Sequence, residues 1–411
     1  MNKLIRPAIL AVTAAILLFP SCGQRGKHLK AKNAKNSDRE MSVRMVRSEM
    51  ARCPEATYLD FRNGEITWNY TPGLELKAFL DVYDAYGGED ILKYARDFYD
   101  INVEESGRVS RYAEGQGYSV DKVCPARTLF RLYDLTGEKK FRAAQDSVKV
   151  RLEGHPRTSE GALWHKSIYP YQIWLDGLYM ACPFNAEYAK RYLGGKARRA
   201  CQEDILNDFL VAAKRTYDPE TKLYRHAWDE TLSMPWCDQK TGQSQHCWGR
   251  GLGWYVMAAA EVLEMIPQDV KGWSELKEIF QGICAELPKW TDSATGMWYQ
   301  VMDQPGREGN YVESTCSAMF IYAMLRGSRL GYLDSSVRDF AVESYGKFIK
   351  RFVREDAGGL ISITDCCAVG GLGGKQMRMG DFEYYLSEPI RDNDPKGVGP
   401  FIWASLEMER L

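Results

Sequence analysis

The 411-residue chain lacks the features that mark several large classes of protein. Beyond its first 22 residues it has no apolar run near the length of a bilayer span. Its 54 basic and 55 acidic residues leave a formal net charge of -1, with no positive excess to attract nucleic acid. Histidine occurs five times, and no cysteine–histidine spacing resembles a zinc site. These absences argue against a membrane-spanning protein, a nucleic-acid-binding protein and a zinc-binding domain.

The 11 cysteines are spread over the chain and are not grouped as a disulfide framework would be. Several lie in apolar, helix-like surroundings, such as Cys182, Cys284 and Cys316, where a free thiol behaves as a small apolar side chain. We therefore expect most cysteines to be core residues. The adjacent pair Cys366 and Cys367 is an exception to this pattern.

The first residues have the layout of a secretory signal. Lys3 and Arg6 precede an apolar run over residues 8–19 that is too short to span a membrane, and Cys22 follows shortly after it. This arrangement predicts lipoprotein processing, with Cys22 as the acylated first residue of an exported, lipid-anchored protein. Simple cleavage nearby is the alternative, because Phe19 fits a lipoprotein signal poorly.

Residues 23–39 are polar and rich in lysine, without apolar periodicity, so we interpret them as a flexible tether. The tether lacks the acidic run expected for export to the outer surface, which favours attachment to a periplasm-facing membrane. No Pro/Ser-rich linker interrupts residues 40–411, and we predict that they form a single domain.

Apolar residues recur at helical spacing nearly throughout the domain, as in Leu76, Phe79 and Tyr83, and an alternating strand pattern is rare. Short turns with glycine, such as the one at Gly137, separate successive stripes and indicate helical hairpins. The pattern predicts twelve helices, near residues 40–51, 73–86, 89–102, 119–135, 138–152, 171–181, 198–216, 248–265, 272–289, 311–327, 334–353 and 398–410.

Stacked helical hairpins can close into a ring or remain an open solenoid. Three long connections, at 154–170, 217–250 and 354–397, have the length of functional loops and contain too many aromatic residues for disordered segments. They favour a closed, all-α barrel with functional loops at one end.

The chain has 11 tryptophans and 24 tyrosines, and three of its few histidines, His165, His226 and His246, fall in tryptophan-rich segments. Aromatic faces with polar donors between them suit the C–H and hydroxyl surfaces of a sugar. We therefore place the candidate site in the segment 164–254. For any one tryptophan, an ordinary core position is the alternative.

Asp176 has bulky apolar neighbours on both sides in the stretch 172–180. If they desolvate its carboxyl, its pKa should rise, and a carboxyl protonated near neutral pH can act as a general acid. Asp121 occupies a comparable position before a helical stripe. Either residue could instead be the N-cap of the following helix. As a pair they would suit a glycosidase, although spacing along the chain gives no distance between them.

Arg250 lies between Trp248 and Trp254 at the start of a predicted helix. A guanidinium can hold a carboxylate through two hydrogen bonds, and the flanking indoles can stack on a sugar ring. A surface arginine that caps a loop is the alternative. The nearby glycines do not predict a phosphate-binding loop, because no strand precedes them and no Lys-Ser/Thr follows.

Taken in order, these motifs resemble those of the unsaturated rhamnogalacturonyl hydrolases (glycoside hydrolase family 105), which are related to the unsaturated glucuronyl hydrolases. The resemblance spans nearly the whole domain. It is carried by Trp68-Asn69-Tyr70, Asp121, His155-Pro156-Arg157-Thr158, Trp164-His165-Lys166, the stretch 174–180, His226 with Trp228-Asp229-Glu230, Trp248-Gly249-Arg250 with Gly253-Trp254, and the stretch 393–399.

The resemblance implies an all-α fold, the (α/α)6 toroid of six hairpins, with no metal or other cofactor. It implies that Asp176 is the principal acid/base and Asp121 the second acidic residue. The residues implied to line the sugar subsite are His165, His226, Arg250, Trp174, Trp248, Trp254 and Tyr70. Two departures concern the fine shape of that subsite: Ala227 where many relatives have glycine, and an atypical Gln245-His246-Cys247 segment.

The implied activity is release of a 4,5-unsaturated uronic acid from the non-reducing end of rhamnogalacturonan (pectin) oligosaccharides. The C4=C5 bond is part of an enol ether, so a proton delivered to C4 leaves cationic character at C5, where water adds. The resulting hemiketal opens and expels the neighbouring sugar, and Asp176 can serve as both acid and base.

Two alternatives remain open. One is a conventional glycosidase on the same fold, with Asp121 and Asp176 as an acid and base pair. The other is a lipoprotein that binds glycans without turning them over. In each case the expected partner is an oligosaccharide, with no nucleic acid and with membrane contact through the lipid on Cys22.

Overall fold

A computed structural model describes residues 40–112 and 115–411. The predicted signal peptide, its acylation site Cys22 and the tether lie outside these residues. The described chain forms α1 (Met41–Arg52), α2 (Tyr70–Tyr86), α3 (Glu89–Asn102), α4 (Ala126–Thr136), α5 (Lys139–Glu153), α6 (Leu175–Tyr192), α7 (Gly195–Thr216), α8 (Gly249–Met265), α9 (Trp273–Glu286), α10 (Ser314–Arg329), α11 (Ser335–Phe352), α12 (Phe382–Ser387) and α13 (Pro395–Met408).

Twelve of these helices form six hairpins in two concentric layers. The inner layer consists of α2, α4, α6, α8, α10 and α13; each contacts the next, and α13 returns to α2, so the ring is closed. The sixth hairpin joins α1 to α13, from opposite ends of the described chain. The prediction of a closed, all-α (α/α)6 toroid is confirmed, and the open solenoid is excluded.

The two layers differ in how much of each helix is apolar. The inner helix α8 is buried at every position from Gly249 to Leu263. A helix that is apolar on all sides must be enclosed by other elements, whereas an outer helix needs one apolar face. The outer helix α3 accordingly buries a single stripe, formed by Ile91, Tyr94, Ala95, Phe98, Tyr99 and Asn102.

The predicted helix over 171–181 is wrong at both ends. Residues Gln172–Trp174 form a strand, and α6 continues through Pro183. An internal proline removes one backbone hydrogen bond, but α6 is buried on both sides of this residue by α7 and α8. The prediction over 119–135 also begins too early, because Val120–Lys122 form a separate 3-10 turn before α4.

Three short antiparallel ribbons lie in the long connections. The pairs are β1 (Gln172–Trp174) with β2 (Ala227–Asp229), β3 (Val353–Glu355) with β4 (Ile361–Ile363), and β5 (Cys366–Cys367) with β6 (Ile390–Arg391). Strands of two or three residues are too short for an alternating pattern to reveal them.

All ten cysteines of the described residues are free thiols, and eight of them are buried. This confirms the prediction that most are core residues. Cys366 and Cys367, which the sequence set apart, are buried as well. Within the described ranges, no helix combines the length and apolar character needed to cross a membrane.

Candidate active site

The predicted site residues lie at the end of the barrel where the inner helices begin. Tyr70 is the first residue of α2, Asp176 is the second of α6, and Arg250 is the second of α8. Asp121 lies in the 3-10 turn that precedes α4. Unpaired N–H groups give a helix N-terminus partial positive charge. This end of the ring therefore favours an anionic ligand.

The β1–β2 ribbon brings Asp176 to His226 across 50 residues of sequence. In its register Trp174 lies opposite Ala227, and the N–H of Leu175 donates to the His226 carbonyl at 3.0 Å. The following carboxylate then meets the imidazole, with 3.1 Å between Asp176 Oδ2 and His226 Nε2. The N-cap alternative for Asp176 is wrong, because Trp174 holds that position.

His226 is fully buried, and its second ring nitrogen also has a partner. Its Nδ1 lies 2.8 Å from the hydroxyl oxygen of Tyr385 on α12. The Trp248 ring packs against both side chains, with its centroid 4.5 Å from that of the imidazole and 5.9 Å from that of the tyrosine. Partners on both nitrogens fix the orientation of the imidazole. Sequence reasoning did not identify Tyr385, because no motif surrounds it.

The expectation that neighbours raise the pKa of Asp176 is wrong. Burial is the largest single influence and acts to raise it, but the hydrogen bond and charge of His226, together with the charges of His165 and Arg250, act more strongly in the other direction. The pKa of Asp176 therefore lies below its usual value. The groups that decide its protonation are polar and distant in sequence, whereas the prediction considered only its apolar chain neighbours.

Asp121 forms a second buried centre with a different partner. Its Oδ2 lies 2.5 Å from Nζ of Lys166, and its Oδ1 lies 3.7 Å from Nε2 of His165. Burial is the largest single influence and acts to raise the pKa of Asp121, but the charge and hydrogen bond of Lys166 and the charge of His165 together outweigh it, so the pKa is lowered. Asp121 is not an N-cap, since it lies within its turn. Lys166 belongs to a motif noted in the sequence but was not predicted as a site residue.

His165 and Trp174 form a stacked wall beside these carboxylates. Their ring centroids are 4.5 Å apart at an interplanar angle of 10°, and Tyr169 stacks on the same indole at 4.8 Å. Burial lowers the pKa of His165 to about 4, although the Asp121 charge opposes the shift. The imidazole of His165 is therefore neutral near pH 7. A Cβ at Gly177 would lie 3.3 Å from His165 Nδ1, so the wall leaves little space for a side chain there.

Arg250 is not a surface residue, since its exposed fraction is 1%. Its guanidinium lies over Trp248, 4.6 Å from the ring centroid, and its Nη1 donates to the carbonyl of Cys367 in β5. Its buried Nε has no acceptor within residues 40–112 and 115–411. A buried guanidinium with a donor still unpaired is suited to binding an anion.

Tyr70 and Trp254 differ in how far they are exposed to solvent. Tyr70 is half-buried and meets the indole of Trp254 edge-on, with 6.2 Å between ring centroids. Trp254 is 1% exposed and packs on Tyr179 at 4.9 Å. It therefore supports Tyr70 from behind. Trp248 is equally buried and lies behind the imidazole and guanidinium described above.

An apolar cluster beside the stacked wall was not predicted. Tyr169, Trp236 and Leu372 pack with Trp174, and Nη2 of Arg378 donates to the Tyr169 hydroxyl at 3.1 Å. The first three come from the three long connections that the sequence indicated as functional loops. No local pattern distinguishes these residues from other aromatic or apolar residues, so they could not be identified individually.

His246, the third histidine noted in the sequence, lies outside this arrangement and pairs with Asp303, with 2.8 Å between Nδ1 and Oδ2. Ala227, the departure next to His226, is buried in β2 against Trp174. In the part of the chain that the structure describes, no group of three or more His, Cys, Asp or Glu residues is placed to hold a metal ion.

The chain is similar in sequence and in fold to known proteins. Residues 41–411 match the model of the family described as Glycosyl Hydrolase Family 88. The solved structure of a family 105 glycoside hydrolase from C. acetobutylicum is 39% identical, has a TM-score of 0.85, and covers 90% of this chain and 100% of its own.

Two curated proteins match over shorter lengths. Protein Atu3128 of Agrobacterium fabrum is 35% identical over 234 residues, which are 56% of this chain and 97% of that protein. The unsaturated rhamnogalacturonyl hydrolase YesR of Bacillus subtilis is 24% identical over 272 residues, which are 65% of this chain and 72% of that protein.

Proposed function

The chain belongs to glycosyl hydrolase family 88, and from this premise we propose that it releases a 4,5-unsaturated uronic acid from the non-reducing end of rhamnogalacturonan oligosaccharides by hydrating the C4=C5 bond. That it is a glycoside hydrolase follows from the family. The name of the Bacillus subtilis relative supports the choice of an unsaturated uronate attached to rhamnose.

The Asp176–His226 pair carries the proposal. A carboxylate and an imidazole 3.1 Å apart can hold one proton between them and pass it in either direction. Hydration needs a group that first gives a proton to C4 and then takes one from water. A pair that stores a single proton performs both steps without a second acid.

The conventional two-carboxylate mechanism fits this arrangement less well. It requires one carboxyl with a raised pKa as the general acid. The pKa of Asp176 and that of Asp121 are both lowered, because the neighbouring charges and hydrogen bonds together outweigh burial. Asp121 therefore remains a carboxylate and is suited to accept hydrogen bonds from sugar hydroxyls.

Binding of a uronate changes the protonation of the pair in the required direction. A substrate carboxylate on Arg250 would offset a charge that now lowers the pKa of Asp176, and the sugar would displace water from the carboxyl. Both effects raise the pKa of Asp176. A proton held on His226 then moves to Asp176 and from there to C4.

The remaining steps balance in atoms and charge. Protonation at C4 leaves a cation at C5 that the ring oxygen stabilises. Water adds to C5 and gives its proton back to the Asp176–His226 pair. The resulting hemiketal opens to a ketone at C5, and the hemiacetal left at C1 collapses to an aldehyde and releases the leaving sugar. The enzyme returns to its starting protonation state.

An absorbance assay tests the proposal directly. The substrate is an unsaturated galacturonosyl-rhamnose disaccharide, whose double bond absorbs in the ultraviolet. The wild type should remove that absorbance, and Asp176→Asn should slow the loss by at least about 10²-fold. Asp334→Asn is the matched control, since Asp334 is exposed and its side chain makes no capping bond.

The alternatives give different results in the same assay. Cleavage of a saturated disaccharide would indicate a conventional glycosidase, and binding without turnover would indicate a glycan-binding protein. The leaving sugar is tested by comparing kcat/KM for the same uronate attached to rhamnose and to an N-acetylhexosamine. The proposal expects the higher value for rhamnose.

We also propose that the enzyme is anchored by a lipid on Cys22 and faces the periplasm, with residues 23–39 as the tether. Cys22→Ala should then move the protein from the detergent phase to the aqueous phase in a detergent-partition experiment. An unchanged distribution would contradict the anchor. Resistance of the wild type to protease added to intact cells would support the periplasmic position.

A further inference from the structure

The reaction proposed above uses Asp176 and His226, but the hydrogen-bonded chain continues to a third residue. The hydroxyl oxygen of Tyr385 lies 2.8 Å from His226 Nδ1, on the side of the imidazole opposite Asp176. Both Tyr385 and His226 are fully buried. The contact is thus shielded from water and cannot be replaced by it at low cost.

We propose that Tyr385 is a positioning residue whose hydroxyl oxygen accepts a hydrogen bond from His226 Nδ1–H, so that Nε2 is the imidazole nitrogen that shares the catalytic proton with Asp176. This inference rests on the proposed function, because it assigns the hydroxyl a part in the same proton transfer.

The catalytic proton moves through Nε2, the nitrogen that faces Asp176. An imidazolium that gives this proton to Asp176 keeps its hydrogen on Nδ1, so Nδ1–H needs an acceptor both before and after the transfer. The Tyr385 hydroxyl oxygen supplies that acceptor in both states, whereas an ammonium group could only donate.

The surroundings of Tyr385 keep its hydroxyl protonated through the reaction. Burial raises the pKa of Tyr385 well above its usual value, and nearby Tyr384 and Asp176 act in the same direction. The hydroxyl therefore remains neutral and does not become a competing base. The titratable and charged groups facing the His226–Tyr385 contact are Asp176 on α6, Arg250 on α8, His165 before β1, Cys247 before α8, Asp303 in the loop after α9, and Tyr384 on α12.

The ring of Tyr385 is also held in place. It stacks on Trp248 at an interplanar angle of 20°, and its backbone carbonyl accepts a hydrogen bond from Nε2 of Gln300 at 3.3 Å. The helix that carries it begins with a capping bond from the Tyr384 N–H to Asp381 at 2.8 Å. Phenylalanine can keep these ring contacts, so Tyr385→Phe removes little beyond the hydroxyl.

The chain offers a matched control on the same helix. Tyr384 is half-buried, and its hydroxyl accepts a hydrogen bond from the Gly371 N–H at 2.9 Å, with no contact to His226. Tyr384→Phe therefore also removes one phenolic hydroxyl from α12, but not the one that contacts His226. An effect seen only in Tyr385→Phe is then due to the loss of the contact with His226.

The kinetic experiment measures pH–rate profiles for the wild type, Tyr385→Phe and Tyr384→Phe on the unsaturated disaccharide. Without the hydroxyl, Nδ1–H loses its acceptor in both states, and this loss costs more when the imidazole is charged. We expect kcat of Tyr385→Phe to fall about 10-fold at neutral pH with KM nearly unchanged. The basic limb of the profile should move about one pH unit lower.

A second experiment needs no substrate. Five histidines are few enough for nitrogen NMR of protein labelled with ¹⁵N-histidine, and His226→Gln identifies the His226 signals. The pH midpoint at which the His226 ring takes up a proton should be about one unit lower in Tyr385→Phe than in the wild type. It should be unchanged in Tyr384→Phe.

The results separate failure of this inference from failure of the proposed function. Equal NMR midpoints and equal pH profiles in the wild type and Tyr385→Phe overturn the positioning role, as does an equal change in Tyr384→Phe. A wild type that leaves the double bond intact overturns the proposed function instead, and the inference that rests on it then falls as well. A lowered midpoint with a shifted basic limb supports both.

Discussion

Two largely buried carboxylates lie at the same end of the barrel, and they differ mainly in the basic group that each one contacts. Asp121 pairs with the ammonium of Lys166, whose raised pKa keeps it charged at physiological pH. Asp176 pairs with the imidazole of His226, a group that can both donate and accept a proton. The first centre is a fixed ion pair, and the second can store and release a proton.

The difference shows why residue type and burial alone did not predict the roles of these carboxyls. Burial acts to raise both pKa values, and in both cases the neighbouring charges and hydrogen bonds together outweigh it. In the proposed reaction, the identity of the partner distinguishes a substrate-binding carboxylate from a proton-transferring one. Lys166 and His226 thus decide the chemistry at least as much as the aspartates do.

The largest effect should separate the two aspartates. Asp176→Asn removes the group that transfers the proton, so kcat should fall by about 10²- to 10⁴-fold. Asp121→Asn removes a hydrogen-bond acceptor, so its main effect should be a higher KM with a smaller loss of kcat. Steady-state kinetics on the unsaturated disaccharide measure both. Equal losses of kcat would mean that the two carboxyls act together as a conventional pair.

The next largest effect should be a loss of stability when the Asp121–Lys166 ion pair is broken. Lys166→Met leaves Asp121 largely buried without its cation, and the free energy of unfolding should fall by about 2 kcal/mol, less than for a fully buried pair because Lys166 is partly exposed. Urea unfolding measures the change. The double variant Lys166→Met/Asp121→Asn should regain most of the loss. If the double variant is no more stable than the single one, the pair does not hold this part of the fold.

A smaller effect is expected at Arg250, which we propose binds the substrate carboxylate. Arg250→Lys keeps the charge but loses the planar guanidinium that can form two hydrogen bonds. The KM for the uronate should therefore rise about 10-fold, while kcat changes less. Methyl-esterified substrate serves as the control, because its ester cannot form the ion pair. Equal affinity of the wild type for acid and ester would contradict the assignment of Arg250 to the carboxylate.

The smallest effect tests the neutral histidine in the stacked wall. The pKa of His165 is lowered to about 4, below the value of about 6.5 for an unfolded chain. The stability it contributes is complete above about pH 6.5 and is lost progressively as the pH falls toward 4, because the unfolded chain takes up the proton first. His165→Gln should therefore lose less Tm between pH 7 and pH 5 than the wild type. His155, whose pKa is also lowered to about 4 by burial, is present in both proteins and cancels in this comparison.

The helical scaffold was largely predictable, because the spacing of apolar residues within each segment indicates a helix there. The stripe at Leu76, Phe79 and Tyr83 is an example, and it lies in α2. The errors fall where tertiary packing overrides local pattern, as at Pro183 inside α6, or where a strand is too short to show alternation, as at Gln172–Trp174.

The site was predictable in part. Its tryptophan and histidine motifs placed the candidate site in the segment 164–254, and the structure brings Asp176, His226 and Arg250 together at one end of the barrel. The protonation of Asp176 was not predictable, because it depends on an imidazole 50 residues away. Tyr385 lies 159 residues from the imidazole it contacts, and no motif in its own segment indicates that contact.

In the proposed reaction a proton passes from the Asp176–His226 pair to the sugar, and deuterium can follow this transfer. The reaction is run in D₂O with the unsaturated disaccharide and quenched early, and the released uronate is examined by NMR together with the ultraviolet absorbance. The account predicts one deuterium at C4, on a single face, for each leaving sugar released, with an equal loss of the double bond. Release of the leaving sugar with the double bond intact and no deuterium at C4 would contradict it.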